Sequence, residues 1–205
     1  MNSPAAGRLA PPSRNNPRRL DIPYRGARQY LHSTTLFDAL VAMVDPDPAG
    51  ALALNIYKVI TEPVGVAPFD GDRAAVSGVF SYVDRTGQSV SLGLYPAPGS
   101  PPPGRVPCNE DAIIAGAEIL DGRASARAGD PGTLVETIVA LNKALVGERM
   151  AGRLKPMFST LDLARLPALP AKVELRIDRQ LGIKLFVSTV SVDDAPLGRV
   201  TFIGA

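Results

Sequence analysis

The sequence is poor in the residue types that build most metal and disulfide sites. It holds a single cysteine, Cys108, which excludes a disulfide within the chain and a thiolate zinc cluster. It also holds a single histidine, His32, which excludes sites that take two or three imidazoles from one chain.

Sequence motifs for nucleotide binding are missing as well. Neither G-x-x-x-x-G-K-[ST] nor G-x-G-x-x-G occurs, and no G-x-S-x-G marks a nucleophilic serine. Two carboxylate pairs, Asp45 with Asp47 and Asp70 with Asp72, lack the later ligands of a calcium loop, and we interpret both as turns. We therefore predict that the protein binds no metal and uses no cofactor.

Long apolar runs and aromatic side chains are scarce. No segment approaches the roughly 20 apolar residues of a membrane helix, and the N-terminus lacks the apolar core of a signal peptide. The 205 residues are 45% hydrophobic and 20% charged, which is typical of a globular domain. We therefore expect a cytoplasmic protein with no membrane partner. The excess of arginine over lysine indicates coding bias, and we expect a bacterial source.

Positive charge is concentrated at the N-terminus. Residues 1–28 contain six arginines and one acid, a net charge of +5, whereas the other 177 residues carry a net charge of −3. The segment has no aromatic residue before Tyr24 that could stack on a base. We therefore predict a disordered basic tail over residues 1–24 and no nucleic-acid partner. Docking of a partner protein by this tail, in an assembly subunit, remains an alternative.

A short sequence pattern occurs twice along the chain. Residues 35–43 read TLFDALVAM and residues 133–141 read TLVETIVAL, with Thr, Leu, Val and Ala in register and apolar residues at helical spacing. The pattern predicts two buried helices, of which the second continues to about Val146 and ends at Gly147. We interpret the two segments as parts of an internal repeat.

Each predicted helix precedes segments in which apolar and polar residues alternate, as in strands with one buried face. We predict a first α+β repeat over residues 25–95, a proline-rich connection over 96–110 and a second α+β repeat over 111–205. Residues 111–120 are apolar and rich in alanine, and we interpret them as a strand rather than a short helix. The other predicted strands lie at residues 52–61, 75–83, 89–95, 154–163, 172–178, 183–192 and 199–203. Residues 25–31 and 124–129 lead into the two helices in a similar way, which suggests a lead strand before each helix.

Two copies of a helix with an antiparallel sheet can pair edge to edge and share one continuous sheet. The element order therefore resembles a double hotdog, in which each half wraps a sheet around its helix. The alternative is the duplicated β-α-β-β arrangement of effector-binding and SOUL-type domains. Because at least three strands follow each helix, we predict an α+β, internally duplicated, double-hotdog-like fold.

His32 and Asp38 are the candidate catalytic residues. His32 lies just before a helix, whose dipole favours a neutral imidazole that can act as a general base, and Asp38 is the nearest carboxylate that could pair with it. In hotdog dehydratases a histidine and a helix acid share the chemistry. This sequence lacks the glycine- and proline-rich signature around that histidine and the usual longer spacing to the acid. His32 could instead hydrogen-bond the chain at the helix entrance.

Structural roles compete with chemistry at the other polar residues. Thr35 precedes Asp38 by three positions and Thr133 precedes Glu136 by three, which is the spacing of a capping box at each helix start. No histidine is close in sequence to Cys108, and we interpret this residue as an unreactive thiol.

Aliphatic residues would line any pocket between the halves, which suits an acyl chain or another apolar small molecule. We therefore predict binding or processing of an acyl thioester, carried by coenzyme A or a carrier protein. An enzyme of this kind would be a hotdog-type thioesterase or dehydratase. A non-catalytic small-ligand binding module is the alternative from another class, and the formation of a homo-oligomer stays open.

Overall fold

The computed structural model of the chain describes residues 16–97, 99, 103–129, 131–150, 152–168 and 170–205. Three helices lie within them: α1 (Ser33–Val44), α2 (Glu110–Ala115) and α3 (Leu134–Met150). The strands are β1 (Arg18–Leu20), β2 (Tyr24–Arg25), β3 (Leu52–Ile56), β4 (Val64–Pro68), β5 (Gly78–Val83), β6 (Ser89–Pro96), β7 (Arg105–Val106), β8 (Glu118–Leu120), β9 (Arg123–Arg127), β10 (Pro156–Leu163), β11 (Lys172–Leu181), β12 (Leu185–Val192) and β13 (Ala195–Gly204).

Eleven of the described strands form one antiparallel sheet, in the order β1-β4-β6-β5-β3-β10-β13-β12-β11-β9-β8. The five strands from β1 to β3 in this order belong to the N-terminal half, and the six from β10 to β8 belong to the C-terminal half. The pairing of β3 with β10 joins the two halves. The short strands β2 and β7 form a separate parallel pair.

The helices pack on the buried face of this sheet. α3 is buried along most of its length and packs against β9 to β13, and it also contacts α1. In the N-terminal half, Phe37 of α1 meets Phe80 of β5 edge to face, with ring centroids 5.7 Å apart. One antiparallel sheet shared by two helix-containing halves confirms the predicted α+β, double-hotdog-like fold.

Most of the predicted strands are present. The short strand β7 was not predicted, and β13 begins at Ala195 rather than at residue 199, because its pairing with β12 extends to Val192. Three further differences concern β4, α2 with β8, and β11. β4 was not predicted, because its sequence VGVAP shows no alternation of apolar and polar residues. Residues 111–120, predicted to be a strand, form most of α2 and then β8. β11 continues past Asp178, where a turn was predicted, because a bulge between Ile177 and Arg179 lets its pairing with β12 extend to Leu181.

Part of the segment predicted to be a disordered tail belongs to the fold. Arg18–Leu20 forms β1, which pairs with β4 at one edge of the sheet, and both Leu20 and Ile22 are buried. This apolar contact is the physical reason for the difference, since it covers part of the core. Residues 1–15 of the predicted tail lie outside the described residues.

α3 continues to Met150 rather than ending at Gly147 as predicted. Val146 and Met150 are fully buried, so the last turn of the helix is held by the core. A Cβ placed on Gly147 would meet nothing within 4 Å. None of the helices in the described part of the chain combines the length and apolar character needed to span a membrane.

We expect Gly147→Ala to raise the free energy of unfolding by about 0.5–1 kcal/mol, because alanine fits the open space and lowers the entropy of the unfolded chain. Urea denaturation measures this change. Gly182→Ala is the matched control, because Gly182 has a φ of +56° and its replacement should lower stability. A loss of stability in Gly147→Ala would contradict the placement of Gly147 inside α3.

Candidate functional site

His32 is the N-cap residue of α1 and is 8% exposed. Its Nδ1 lies 2.8 Å from Thr34 Oγ1, and its Nε2 lies 3.1 Å from Glu110 Oε1. An unprotonated Nε2 would direct its lone pair at the carboxylate. We therefore assign the proton of the neutral ring to Nε2, so that the Thr34 hydroxyl donates to Nδ1.

Glu110, the first residue of α2, is held mainly through one carboxylate oxygen. Oε2 accepts a hydrogen bond from Arg28 Nη2 at 2.8 Å and another from Lys143 Nζ at 2.5 Å. Oε1 faces His32 but has no well-aligned donor among the described residues. Burial alone would raise the pKa of Glu110, but the imidazole, the ammonium and the guanidinium outweigh burial and hold the pKa well below its usual value. The carboxylate is therefore ionised at neutral pH.

The imidazole of His32 is neutral at neutral pH. Burial lowers its pKa from the ordinary value of 6.5, because the charged ring would lose its hydration. The contact with Glu110 raises the pKa and the positive charge of Arg28 lowers it again. The protonation state agrees with the sequence prediction, but burial rather than the helix dipole is the main cause.

The cluster around Glu110 carries one net positive charge. Arg28 and Lys143 are cationic and outnumber the carboxylate, while the imidazole is neutral. Arg28 also donates to Cys108 Sγ at 2.6 Å and to the Tyr30 hydroxyl at 3.1 Å. These contacts hold the guanidinium of Arg28 in place. The role that the structure gives to Cys108 is to accept one of them.

Asp38, the second residue predicted to be catalytic, does not supply the carboxylate that faces His32. It accepts a hydrogen bond from Thr133 Oγ1 at 3.0 Å, which links α1 to the start of α3. Burial raises the pKa of Asp38, and the bond from Thr133 and the charge of Arg25 oppose this rise. The hydrogen bond between Asp38 and Thr133 therefore links the two halves of the fold.

The predicted capping box forms in the second half only. Thr133 Oγ1 accepts from the N–H of Glu136 at 3.2 Å, and Glu136 Oε2 accepts from the N–H of Thr133 at 3.0 Å. The box predicted for the first half is wrong. There, Arg25 Nε donates to Thr35 Oγ1 at 2.5 Å and Asp38 is bonded to Thr133. Arg25 also forms an ion pair with Glu136.

Sequence reasoning missed Glu110, Arg28 and Lys143. Glu110 lies 82 residues from Arg28 and 33 from Lys143, so no local spacing connects them. The position of Glu110 in the first turn of α2 is the one signal that could have been used, because acids are favoured at helix N-termini.

The carboxylates noted in the sequence accept hydrogen bonds from protein donors, and Asp70 and Asp72 accept from the nearby N–H groups of Asp72 and Ala74. Asp45 accepts two hydrogen bonds from Arg85, at 3.1 and 2.8 Å, and Asp47 accepts from the N–H of Ala49 at 3.0 Å. Within the residues that the structure describes, no three His, Cys, Asp or Glu side chains are grouped so that they could hold a metal ion.

His32, Glu110 and Lys143 line a cavity of about 220 Å³ between the two halves. The cavity lies beside the point where the pairing of β3 with β10 ends, at Asn55 and Thr160. Its helix side also includes residues of α1 and α3, and its sheet side is formed by the start of β10 and the end of β13. Most of the lining residues are apolar: Leu31, Leu36, Ile56, Val59, Ile60, Val139, Pro156, Met157, Phe158, Phe202, Ile203 and Ala205.

No family model and no curated protein matches this chain. The pyran synthase domain from module nine of the sorangicin pathway is similar with 14% identity and a TM-score of 0.49, covering 89% of this chain and 91% of that one. The dehydratase domain of PpsC from Mycobacterium tuberculosis, in complex with C12:1-CoA, has 11% identity and a TM-score of 0.46, with 86% and 85% covered. A conserved protein of unknown function with a hotdog fold from Alicyclobacillus acidocaldarius has 11% identity and a TM-score of 0.45, with 85% and 86% covered. The topology of the chain itself, rather than these similarities, establishes its fold.

The presence of a single histidine permits a direct test of this electrostatic arrangement. We expect the imidazole NMR signal of His32 to titrate with a midpoint below 6.5, because burial disfavours the charged ring. Glu110→Gln should move the midpoint further down, because the carboxylate raises the pKa of His32. Asp178→Asn, at an exposed site on β11, should leave it unchanged. A midpoint at or above 6.5 would show that the carboxylate outweighs burial.

Proposed function

We propose that the protein binds an acyl thioester in the cavity between the halves and processes it with His32 and Lys143 at the thioester carbonyl. The observation that supports this proposal is a small polar cluster with a net positive charge, of which His32, Glu110 and Lys143 line a largely apolar cavity while Arg28 pairs with Glu110 outside its lining. Ligand sites commonly combine an apolar lining with a few placed polar groups. An acyl group fits the lining, and a carbonyl oxygen fits the cluster.

The charge of the cluster suits reactions in which negative charge develops on the carbonyl oxygen. In hydrolysis, water attacks the thioester carbonyl carbon, and the C–S bond then breaks so that the thiol leaves with a proton from that water. In dehydration, the α-proton and the β-hydroxyl leave together as water. Both reactions place negative charge on the carbonyl oxygen on the way. The contact of His32 Nε2 with Glu110 Oε1, at 3.1 Å, is poorly aligned, so the N–H can be shared with a carbonyl oxygen that enters the cavity. Lys143 Nζ adds a positive charge at the same wall. Because apolar residues surround the cluster, these electrostatic interactions are stronger than they would be in water.

Glu110 has a supporting role in this proposal. Its carboxylate orients the ring of His32 through the Nε2 contact and is itself fixed by Arg28 and Lys143. The two cations more than neutralise it, so it does not repel a developing oxyanion. A role for Asp38 in the reaction is not part of this proposal, because Asp38 is bonded to Thr133.

One observation favours a binding module without chemistry. Both ring nitrogens of His32 already lie within 3.1 Å of a polar atom of the protein, at Thr34 and Glu110. A histidine with both nitrogens engaged is a poorer acid or base unless the substrate displaces a partner. The second candidate function is therefore binding of a small apolar ligand without turnover.

We expect the purified protein to turn over a short-chain acyl-CoA or 3-hydroxyacyl-CoA, and His32→Asn to lower kcat by about 10²–10³-fold, because a donor to the carbonyl oxygen is lost. Release of free thiol reports hydrolysis, and absorbance of the conjugated enoyl thioester reports dehydration. Lys143→Met, which keeps the length of the side chain, should also lower kcat.

Asp178→Asn, outside the cavity, serves as the control for both variants and should retain activity. Binding of acyl-CoA with no turnover by the wild-type protein would contradict processing and favour the binding module. Turnover that survives His32→Asn unchanged would remove His32 from the reaction.

A further inference from the structure

We propose that the pair of phenylalanines Phe158 and Phe202 restricts the ligand of this cavity to a short acyl chain. The inference rests on the proposed function and names the class of acyl group that the site accepts. Three observations support it: the bulge in β10 beside the cavity, the contact between the two rings, and the volume of the cavity.

A bulge in β10 turns Phe158 toward the core. Leu161 and Leu163 are buried on one face of this strand, so regular alternation would place Phe158 on the opposite face. The register with β13 shifts between Phe158 and Thr160, which inserts one extra residue. Phe158 is thereby paired with Phe202, on the same face as the two leucines.

The two rings form a rigid wall on the sheet side of the cavity. Phe158 and Phe202 meet edge to face at 84°, with ring centroids 6.0 Å apart. Phe202 is 1% exposed and packs with the rest of the core, whereas Phe158 is half-buried and has the cavity beside it. A chain that extends toward the sheet therefore meets Phe158 first.

The polar groups fix the direction in which a ligand lies. His32, Glu110 and Lys143, which form the polar cluster, come from helices or helix starts, while the rings belong to the sheet. Lys58 and Lys155 also line the cavity, next to the ends of β3 and β10, and are not part of this cluster. A thioester carbonyl at the polar cluster therefore directs its acyl chain toward the rings. The volume of about 220 Å³ is below the range of about 300–1,000 Å³ that is usual for drug-sized ligands. Such a volume suits a short acyl chain.

The test measures chain-length dependence with two series of probes. Linear alkanols from butanol to dodecanol report on the cavity alone, and acyl-CoAs from butyryl to dodecanoyl report on the thioester ligand. For the wild type we expect affinity in both series to rise and then fall steeply with length. Phe158→Ala should move the longest tolerated chain upward and improve binding of the longer probes by about tenfold.

Two further variants serve as a milder substitution and as a control. Phe158→Leu removes less volume and should shift the length limit by a smaller amount if the alanine variant does not fold. Phe69→Ala is the matched control, because Phe69 is also half-buried but does not line the cavity. The longest chain that this variant binds should be the same as for the wild type.

The outcomes separate this inference from the proposed function. Alkanols that show a length limit relieved at Phe158, with no binding of any acyl-CoA, would support the role of the ring pair and reject the thioester. Binding of long and short alkanols with equal affinity, a limit unchanged in the folded Phe158 variants, or no alkanol binding at all would overturn the inference.

Discussion

The pairing of β3 with β10 is the contact on which the rest of the structure depends. Four residue pairs, from Leu52–Leu163 to Asn55–Thr160, join two half-sheets that would otherwise each present an unpaired edge. The same pairing also creates the cavity, because it stops at Asn55 while both strands continue. Beyond that point the chain following β3 and the start of β10 line a space rather than bond to each other. The seam of the fold and its candidate site thus have one origin.

The charged cluster depends on this seam, because its members come from both halves of the chain. An ionised carboxylate loses favourable hydration free energy on burial. For Glu110, the hydrogen bonds that Arg28 and Lys143 donate to Oε2 offset this loss. Arg28 belongs to the N-terminal half and Lys143 to α3 of the other half. The site therefore exists only in the assembled fold. Its excess positive charge is a consequence of this assembly, since two cations are used to hold one anion.

Local sequence patterns were sufficient where the structure is local. The two helices follow from helical spacing, and the strands β5 and β6 follow from the alternation of apolar and polar residues. The turn between these strands is also local, since Asp84 accepts hydrogen bonds from the N–H groups of Thr86 and Gln88. β4 could not be predicted, because a strand buried along most of its length shows no alternation. The partner of His32 could not be predicted either, because the contact with Glu110 depends on how α2 packs against α3.

The packing of α2 explains why two similar segments contribute different side chains to the candidate site. Gly132 occupies the position before Thr133 that Thr34 occupies before Thr35. A Cβ on Gly132 would lie 2.7 Å from Ile113 Cδ1, so the missing side chain leaves room for Ile113 of α2 beside the start of α3. This packing of α2 places Glu110 beside His32. In the first segment, Thr34 instead provides the hydroxyl that contacts the imidazole. One segment thus supplies the histidine and its hydroxyl partner, while the other leaves room for the carboxylate, which a symmetric pair of segments could not do.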